Sequence, residues 1–317
     1  MEGINNSQVN LKRIEFIVTF NCSSRCDHCS IYPRNVSGNR GNLDIDKAES
    51  IIREACGNYE IDSIMTFGGE PLLYPEFTCK LHQTARTCGI ATRQIITNGQ
   101  WTKNETRIIE IAGMINEAGV TDILVSTDCF HEKYLDYEIV RFSLEQLKKK
   151  TKAKLSLHPS WAGSKESENP YNAKTKEILK GLEYLEIPQS EGNIIFPCGR
   201  ALANLAEYLP KPQLNLEGSC KDIPYTDPPD NIRTICAEPN GDVIACKPIG
   251  NIYEKSFSTI IQEYDYRKYP ILKAMVENGC AGLYDLAREN GLELAPEGYY
   301  SACGLCEDIW GKISEKK

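Results

Sequence analysis

Cys22-Ser23-Ser24-Arg25-Cys26-Asp27-His28-Cys29 follows directly on the run Glu15-Phe16-Ile17-Val18-Thr19-Phe20. The apolar, β-branched and aromatic run reads as a strand. A tight loop after it can aim three sulfurs at one point, where a helix or a strand would fan them apart. Three thiolates suit a soft metal centre with one coordination position left open for chemistry. On these residues alone three readings stand: structural thiols that merely lie together, a zinc site short of one ligand, and a [4Fe–4S] cluster with one iron free of protein.

Outward from this loop, residues 15 to about 196 alternate short apolar strands with amphipathic helices, the pattern of stacked β-α units on a parallel sheet. Strands are expected at 15–20, 63–67, 92–96, 122–126, 153–157 and 193–196. Helices are expected from about 45, with Asp44 or Asp46 as cap, and at 76–88, 103–118, 137–150 and 173–185. Six such units are too few for a closed eight-fold barrel.

In parallel barrels the reactive groups gather at the C-terminal strand ends. Strand two ends in Gly68-Gly69-Glu70-Pro71, where glycines admit a ligand close to the backbone and a carboxylate accepts from an ammonium. Strand three ends in Thr97-Asn98-Gly99, which is also an ordinary turn. Strand four ends in Ser126-Thr127-Asp128, suited to ligand hydroxyls or to capping the next helix. Cys129-Phe130-His131-Glu132 comes next, and His131 suits substrate positioning, proton transfer or plain exposure. Strand six ends in Pro197-Cys198-Gly199-Arg200, whose guanidinium can grip a carboxylate in two-pronged fashion. Cys198 there is a cluster ligand, a hydrogen-atom donor or an inert thiol.

The cysteine loop after a first strand, joined to Gly-Gly-Glu-Pro after a second, resembles the CxxxCxxC signature of radical SAM enzymes. The resemblance implies an α/β fold, a partial (β/α)6 TIM-like barrel. It implies a [4Fe–4S] cluster on Cys22, Cys26 and Cys29 whose open iron takes S-adenosylmethionine (SAM). Cofactor contacts would then come from Gly68, Gly69, Glu70, Pro71, Asn98, Ser126, Asp128 and Arg200, with Glu70 and Gly69 at the methionyl amino group. One electron splits SAM in this family, and a 5′-deoxyadenosyl radical takes a hydrogen atom from substrate. An electron donor such as flavodoxin or ferredoxin is the implied partner.

Beyond about residue 211 prolines 210, 212, 224, 228 and 229 punctuate the chain as a linker and cap. Residues 232–246 then read as two strands joined by a Pro-Asn-Gly-Asp turn. Helices are expected at 258–266 and 271–278, ahead of Cys303-Gly304-Leu305-Cys306. This tail resembles the SPASM/twitch extensions that hold auxiliary iron–sulfur clusters, and the shorter twitch form fits better. The expected ligands are Cys220, Cys246, Cys303 and Cys306, with Cys236 or Cys198 as rivals for the first; a zinc knob on the same thiols is the competing reading. The expected division is 1–210 for the barrel and 211–317 for an α+β auxiliary domain.

A chain of 317 residues with 41% hydrophobic content supports a large core and a smaller second unit. A net charge of −8 argues against wide contact with nucleic acid. The polar first ten residues lack a signal-peptide core, and no run is long enough to span a membrane, so a cytoplasmic setting is expected. Fourteen cysteines there speak for metal rather than disulfides. Two substrate classes are expected. One is a ribosomally made peptide, epimerised or crosslinked, with Cys198, Cys129 or Cys236 returning a hydrogen atom. The other is a small metabolite that is oxidised or rearranged, mildly favoured because a loop starting at Cys22 leaves no room for a leader-binding domain. A non-catalytic iron–sulfur or zinc sensor or scaffold is the reading from another class.

Overall fold

The computed structural model describes residues 4–31, 41–223, 226–295 and 298–314; Pro224 and the first three residues fall outside them. Eleven residues stay extended as β1 (Val9–Thr19), and from Phe16 to Thr19 every side chain is buried, as a strand covered on both faces requires. Then come α1 (Ile45–Asn58), β2 (Ser63–Gly68), α2 (Pro75–Thr87), β3 (Thr92–Thr97) and α3 (Glu105–Ala118). They are followed by β4 (Asp122–Ser126), α4 (Cys129–Glu132), α5 (Tyr137–Lys150) and β5 (Lys154–His158). Asp44 caps α1 by accepting from Lys47 N, the first of the two caps expected.

β1 to β5 pair in parallel in chain order, so their C-terminal ends lie along one rim. Ile14, Phe16, Ile51, Ile52 and Leu81 pack one core between β1, β2, α1 and α2. Ile95, Ile123, Val125, Ile108, Ile115 and Leu144 pack a second under α3 and α5. Each fully buried aliphatic or aromatic side chain of this kind contributes about 1.5–3 kcal/mol.

The sixth strand departs from expectation. Pro159 has no N–H to donate, and the chain resumes beyond it as β6 (Ser160–Trp161). β6 pairs in parallel with β7 (Asn193–Ile194) in a separate two-stranded sheet, two residues shorter than the strand expected at 193–196. The helix before it is α6 (Pro170–Gly181), which starts earlier than expected because Asn169 caps it and Pro170 fills its first turn. α7 (Arg200–Leu205) follows β7.

The predicted hairpin is present as β8 (Ile232–Ala237) and β9 (Asp242–Ile244), extended by β10 (Pro248–Asn251). β8 lies parallel against the outer edge of β1, with Ile14 opposite Ile235 and Glu15 opposite Cys236. The result is an eight-stranded, mostly parallel sheet ordered β10-β9-β8-β1-β2-β3-β4-β5, an open barrel wall that does not close on itself among the described residues. The remaining elements are α8 (Phe257–Glu263), α9 (Pro270–Glu289) and α10 (Ala302–Ser314). α9 outruns the helix expected at 271–278 and is broken at Gly279 (φ 60°, ψ −149°). No helix among the described residues is long and apolar enough to cross a membrane.

Candidate functional site

Residues 22–29 lie in neither helix nor strand, and their backbone is held from all sides. Gly69 N donates to Thr19 O and Glu70 N to Asn21 O, each at 2.8 Å. A Cβ on Gly69 would stand 1.9 Å from Asn21 O, so only glycine lets the two loops meet. Ser23 Oγ donates to Gln100 O (2.6 Å), and Asn98 Nδ2 reaches Ser23 Oγ (3.0 Å) and Cys22 Sγ (3.5 Å). Ser24 Oγ lies 2.9 Å from Cys26 Sγ, and Cys29 N donates to Cys26 O (3.2 Å).

Arg200 grips the same loop from the opposite side. Its Nε donates to Cys26 O (3.1 Å), its backbone N to Cys29 O (3.3 Å), and its guanidinium lies 3.5 Å from Asp27. The side chain expected to hold a cofactor carboxylate is thus engaged with the cysteine loop. Asp27 also accepts from Lys133 Nζ (2.7 Å) and Tyr134 OH (2.8 Å), partners that the sequence does not single out. Burial would raise the Asp27 carboxyl, but Lys133 and Tyr134 hold it below the usual range.

Two other expected ligand-facing carboxylates turn into the protein. Glu70 is fully buried and accepts from Leu72 N (3.0 Å), Thr97 Oγ1 (2.8 Å) and Asn98 N (2.7 Å), tying the end of β2 to the end of β3. Pro71 continues from it into a buried turn. Burial pushes the Glu70 carboxyl up to about 7, against the pull of those donors. Asp128 caps α4 through Phe130 N and His131 N (3.0 Å each), accepts from His131 Nδ1 (2.8 Å), and takes Ser160 N on its other oxygen (3.0 Å). Of the two roles weighed for Asp128, capping is the one this geometry performs. Burial alone would lower the His131 imidazole, yet Asp128 and Cys26 beside it raise it well above its ordinary value.

The strand ends and the cysteine loop surround one cleft of about 1270 Å³. Cys22, Cys26 and Cys29 line it together with Gly68, Gly69, Asn98, Ser126, His131 and Cys198. It also reaches Arg13, Glu15 and Gln94, where Arg13 donates to Glu15 (2.6 Å) and to Gln94 (3.0 Å). This polar knot is not among the residues expected above, although charges two apart in a strand beside a buried face signal that one face meets a cavity. His158, Ser160 and Asn193 on the far wall were likewise not singled out. Cys129 is half-buried on α4, where burial pushes its thiol up to about 11; Cys236 sits in β8 beside Glu15. Neither is among the residues lining the cleft.

The C-terminal thiols also come together. Cys220 lies within electrostatic reach of Cys246, Cys303 and Cys280, and Cys306 of Cys246, Cys220 and Cys303. Burial pushes the thiols of Cys220 and Cys303 up to about 12. Cys303 also lies within electrostatic reach of Cys198, while Arg200 in the same segment donates to Cys29 O of the N-terminal loop. Cys303 and Cys306 ride on α10, and Cys220 sits in a short 3-10 turn. Among the described residues no three His, Cys, Asp or Glu side chains converge as around a single ion. The thiolates of a cubane bind separate irons, and the all-sulfur donor chemistry of the three loop thiols suits such a cluster.

Residues 16–153 match the family model described as the Radical SAM superfamily. Among solved structures the chain is similar to BtrN in complex with AdoMet and 2-DOIA, at 17% identity over 84% of this chain and 88% of that one, with a TM-score of 0.46. It is also similar to native anSMEcpe with bound AdoMet, at 16% identity over 96% and 97% of the two chains, TM-score 0.47. A third is coproporphyrinogen III oxidase (HemN) from Escherichia coli, at 14% identity over 65% of this chain and 50% of that one, TM-score 0.43. No curated protein matches the chain.

Proposed function

We propose, from the match of residues 16–153 to the Radical SAM superfamily model, an enzyme that cleaves SAM reductively and takes a hydrogen atom from substrate. The observation that carries the reading is the rim itself: three loop cysteines, Gly68 and Gly69, Asn98 and Ser126 face one cleft deep enough for cofactor and substrate together. Cys22, Cys26 and Cys29 would hold a [4Fe–4S] cluster. When bound, that cluster supplies one electron to SAM, whose sulfonium bond breaks to methionine and a 5′-deoxyadenosyl radical.

The chain's own contribution is position and exclusion. Gly68 and Gly69 line the cleft beside the loop, where their backbone would face the methionyl end, and Ser126 offers a hydroxyl on the cleft wall. Glu70 and Asp128 act one layer back, fixing the loops that carry Asn98 and His131. Arg200 and Asn98 keep the cysteine loop at the rim. In this reading residues 1–210 form the barrel unit, and residues 211–317 bring a second iron–sulfur cluster on Cys220, Cys246, Cys303 and Cys306.

For substrate, a peptide to be epimerised or crosslinked is the leading proposal. Among the described residues β7 pairs on one edge only, and its exposed Asn193 and Ile194 stand on the cleft wall, where an extended chain can add as a strand. Cys198, the expected hydrogen-atom donor that lines the cleft, would then quench the substrate radical. A small polar metabolite is the second reading, favoured by the Arg13–Glu15–Gln94 knot in the cleft lining.

The experiment is anaerobic reconstitution followed by SAM and dithionite. About eight irons per chain are expected, and about four after alanine replacement of Cys22, Cys26 and Cys29. The native protein should form 5′-deoxyadenosine, and the triple variant none. Native protein that loads iron but never makes deoxyadenosine would instead speak for a sensor or scaffold.

A further inference from the structure

The C-terminal thiols share their surroundings with a buried cation. Lys247 directly follows Cys246, and its side chain is 8% exposed. Its ammonium is ion-paired with Glu307, the residue after Cys306, and lies 5.2 Å from the centre of the Trp310 ring. Trp310 stacks on Tyr269 and Tyr269 on Tyr264, at 6.1 and 6.4 Å, so an aromatic wall backs the charge. An ammonium this deep is costly unless compensated. Glu307 compensates weakly, because its own side chain is 75% exposed and screened by water. Cys246, Cys303 and Cys306 are the other groups on which Lys247 acts.

We propose that Lys247 is the built-in counter-charge of an iron–sulfur cluster held by Cys220, Cys246, Cys303 and Cys306, and that it makes that cluster easier to reduce. The proposal rests on the reading that this quartet binds a cluster. A thiolate-ligated cubane is anionic, so each added electron is opposed by the charge already present. A fixed cation in a poorly solvated pocket offsets that opposition, and net charge around a cluster is one of the terms that set its potential. The Lys247–Glu307 pair also joins the Cys246 segment to α10, so the cation is positioned by the same contact that brings the ligands together.

The test uses the full chain with Cys22, Cys26 and Cys29 replaced by alanine, which leaves only the quartet to load. Iron and sulfide are counted after anaerobic reconstitution, and the midpoint is followed by electron paramagnetic resonance during a redox titration. About four irons are expected. Adding Lys247→Met should keep them and move the midpoint to more negative potential; Lys247→Arg should leave it near the parent value. Glu307→Gln should move it the other way, by less. A Met variant that loses iron while the Arg variant loads fully also supports a role for the charge. Full iron with an unchanged midpoint in the Met variant overturns the proposal, as does iron loss in both Lys247 variants, which would make the side chain a structural filler. No iron in the alanine parent overturns the quartet reading itself, a result separate from any shift.

Discussion

At the scale of single residues, Gly69 and Glu70 do the closest work. Gly69→Ala would push a methyl into Asn21 O, so the cysteine loop must move. A loss of about 1–3 kcal/mol is expected in chemical denaturation, together with lower iron retention at the N-terminal site. Glu70 makes a pH prediction. Its carboxyl sits at about 7 in the folded chain against 4.5 as reference, so the native state holds its proton more tightly than the unfolded one. The contribution is therefore complete below about pH 4.5 and is lost as pH rises through about 7. Glu70→Gln should flatten that slope in denaturation curves measured between these limits. It should also cost about 1–3 kcal/mol, because an amide nitrogen would face the Leu72 and Thr97 donors or the Asn98 donor. The importance of this site was legible in the Gly-Gly-Glu-Pro string. The direction of the Glu70 carboxylate was not, since its donors at 72, 97 and 98 become neighbours only when two strands pair. Arg200 and Asp128 teach the same lesson: residue type announced an anion or cation contact, while the fold chose protein partners.

At the scale of elements, caps and periodicity located most of the barrel. β4 and α5 begin and end where the pattern expects, because a strand beside a capped amphipathic helix is encoded locally. Interruptions were harder to read. Pro159 split a strand, and Gly279 split a helix. The Gly279 break frees the next two backbone donors, and Cys280 N and Ala281 N donate to Gly218 O (3.0 Å) and Leu216 O (2.8 Å). Those carbonyls belong to the segment that delivers Cys220. Gly279→Ala is strained by its positive φ, and its Cβ would meet Gly218 O at 2.7 Å. A cost of about 1–3 kcal/mol is expected, with iron lost from the C-terminal quartet while the N-terminal site still loads, as iron counts with alanine at Cys22, Cys26 and Cys29, or instead at Cys220, Cys246, Cys303 and Cys306, would show. α10, which carries Cys303 and Cys306, hides behind the Cys-x-x-Cys motif, although Ala302, Leu305, Cys306 and Ile309 keep the spacing of one buried helix face.

At the scale of the whole molecule, the place of β8 beside β1 is what no local pattern announces. Its hairpin with β9 was visible, its place beside β1 was not, since pairing across about 220 residues leaves no mark on either strand. A chain ended at residue 210 would strip the outer neighbour from β1 and uncover Ile14 and Phe16, both fully buried in the intact molecule. Such a truncation is expected to aggregate or to show a broadened, non-cooperative melt by circular dichroism. A soluble, cooperative fragment would mean that the barrel is self-sufficient. The same pairing also orders events in time. On a ribosome adding about 5–20 residues per second, β1 emerges roughly 10–40 s before its partner. For that interval β1 lacks its outer partner while the first cysteines are already made, so a finished pocket for a cluster is expected only after β8 has emerged.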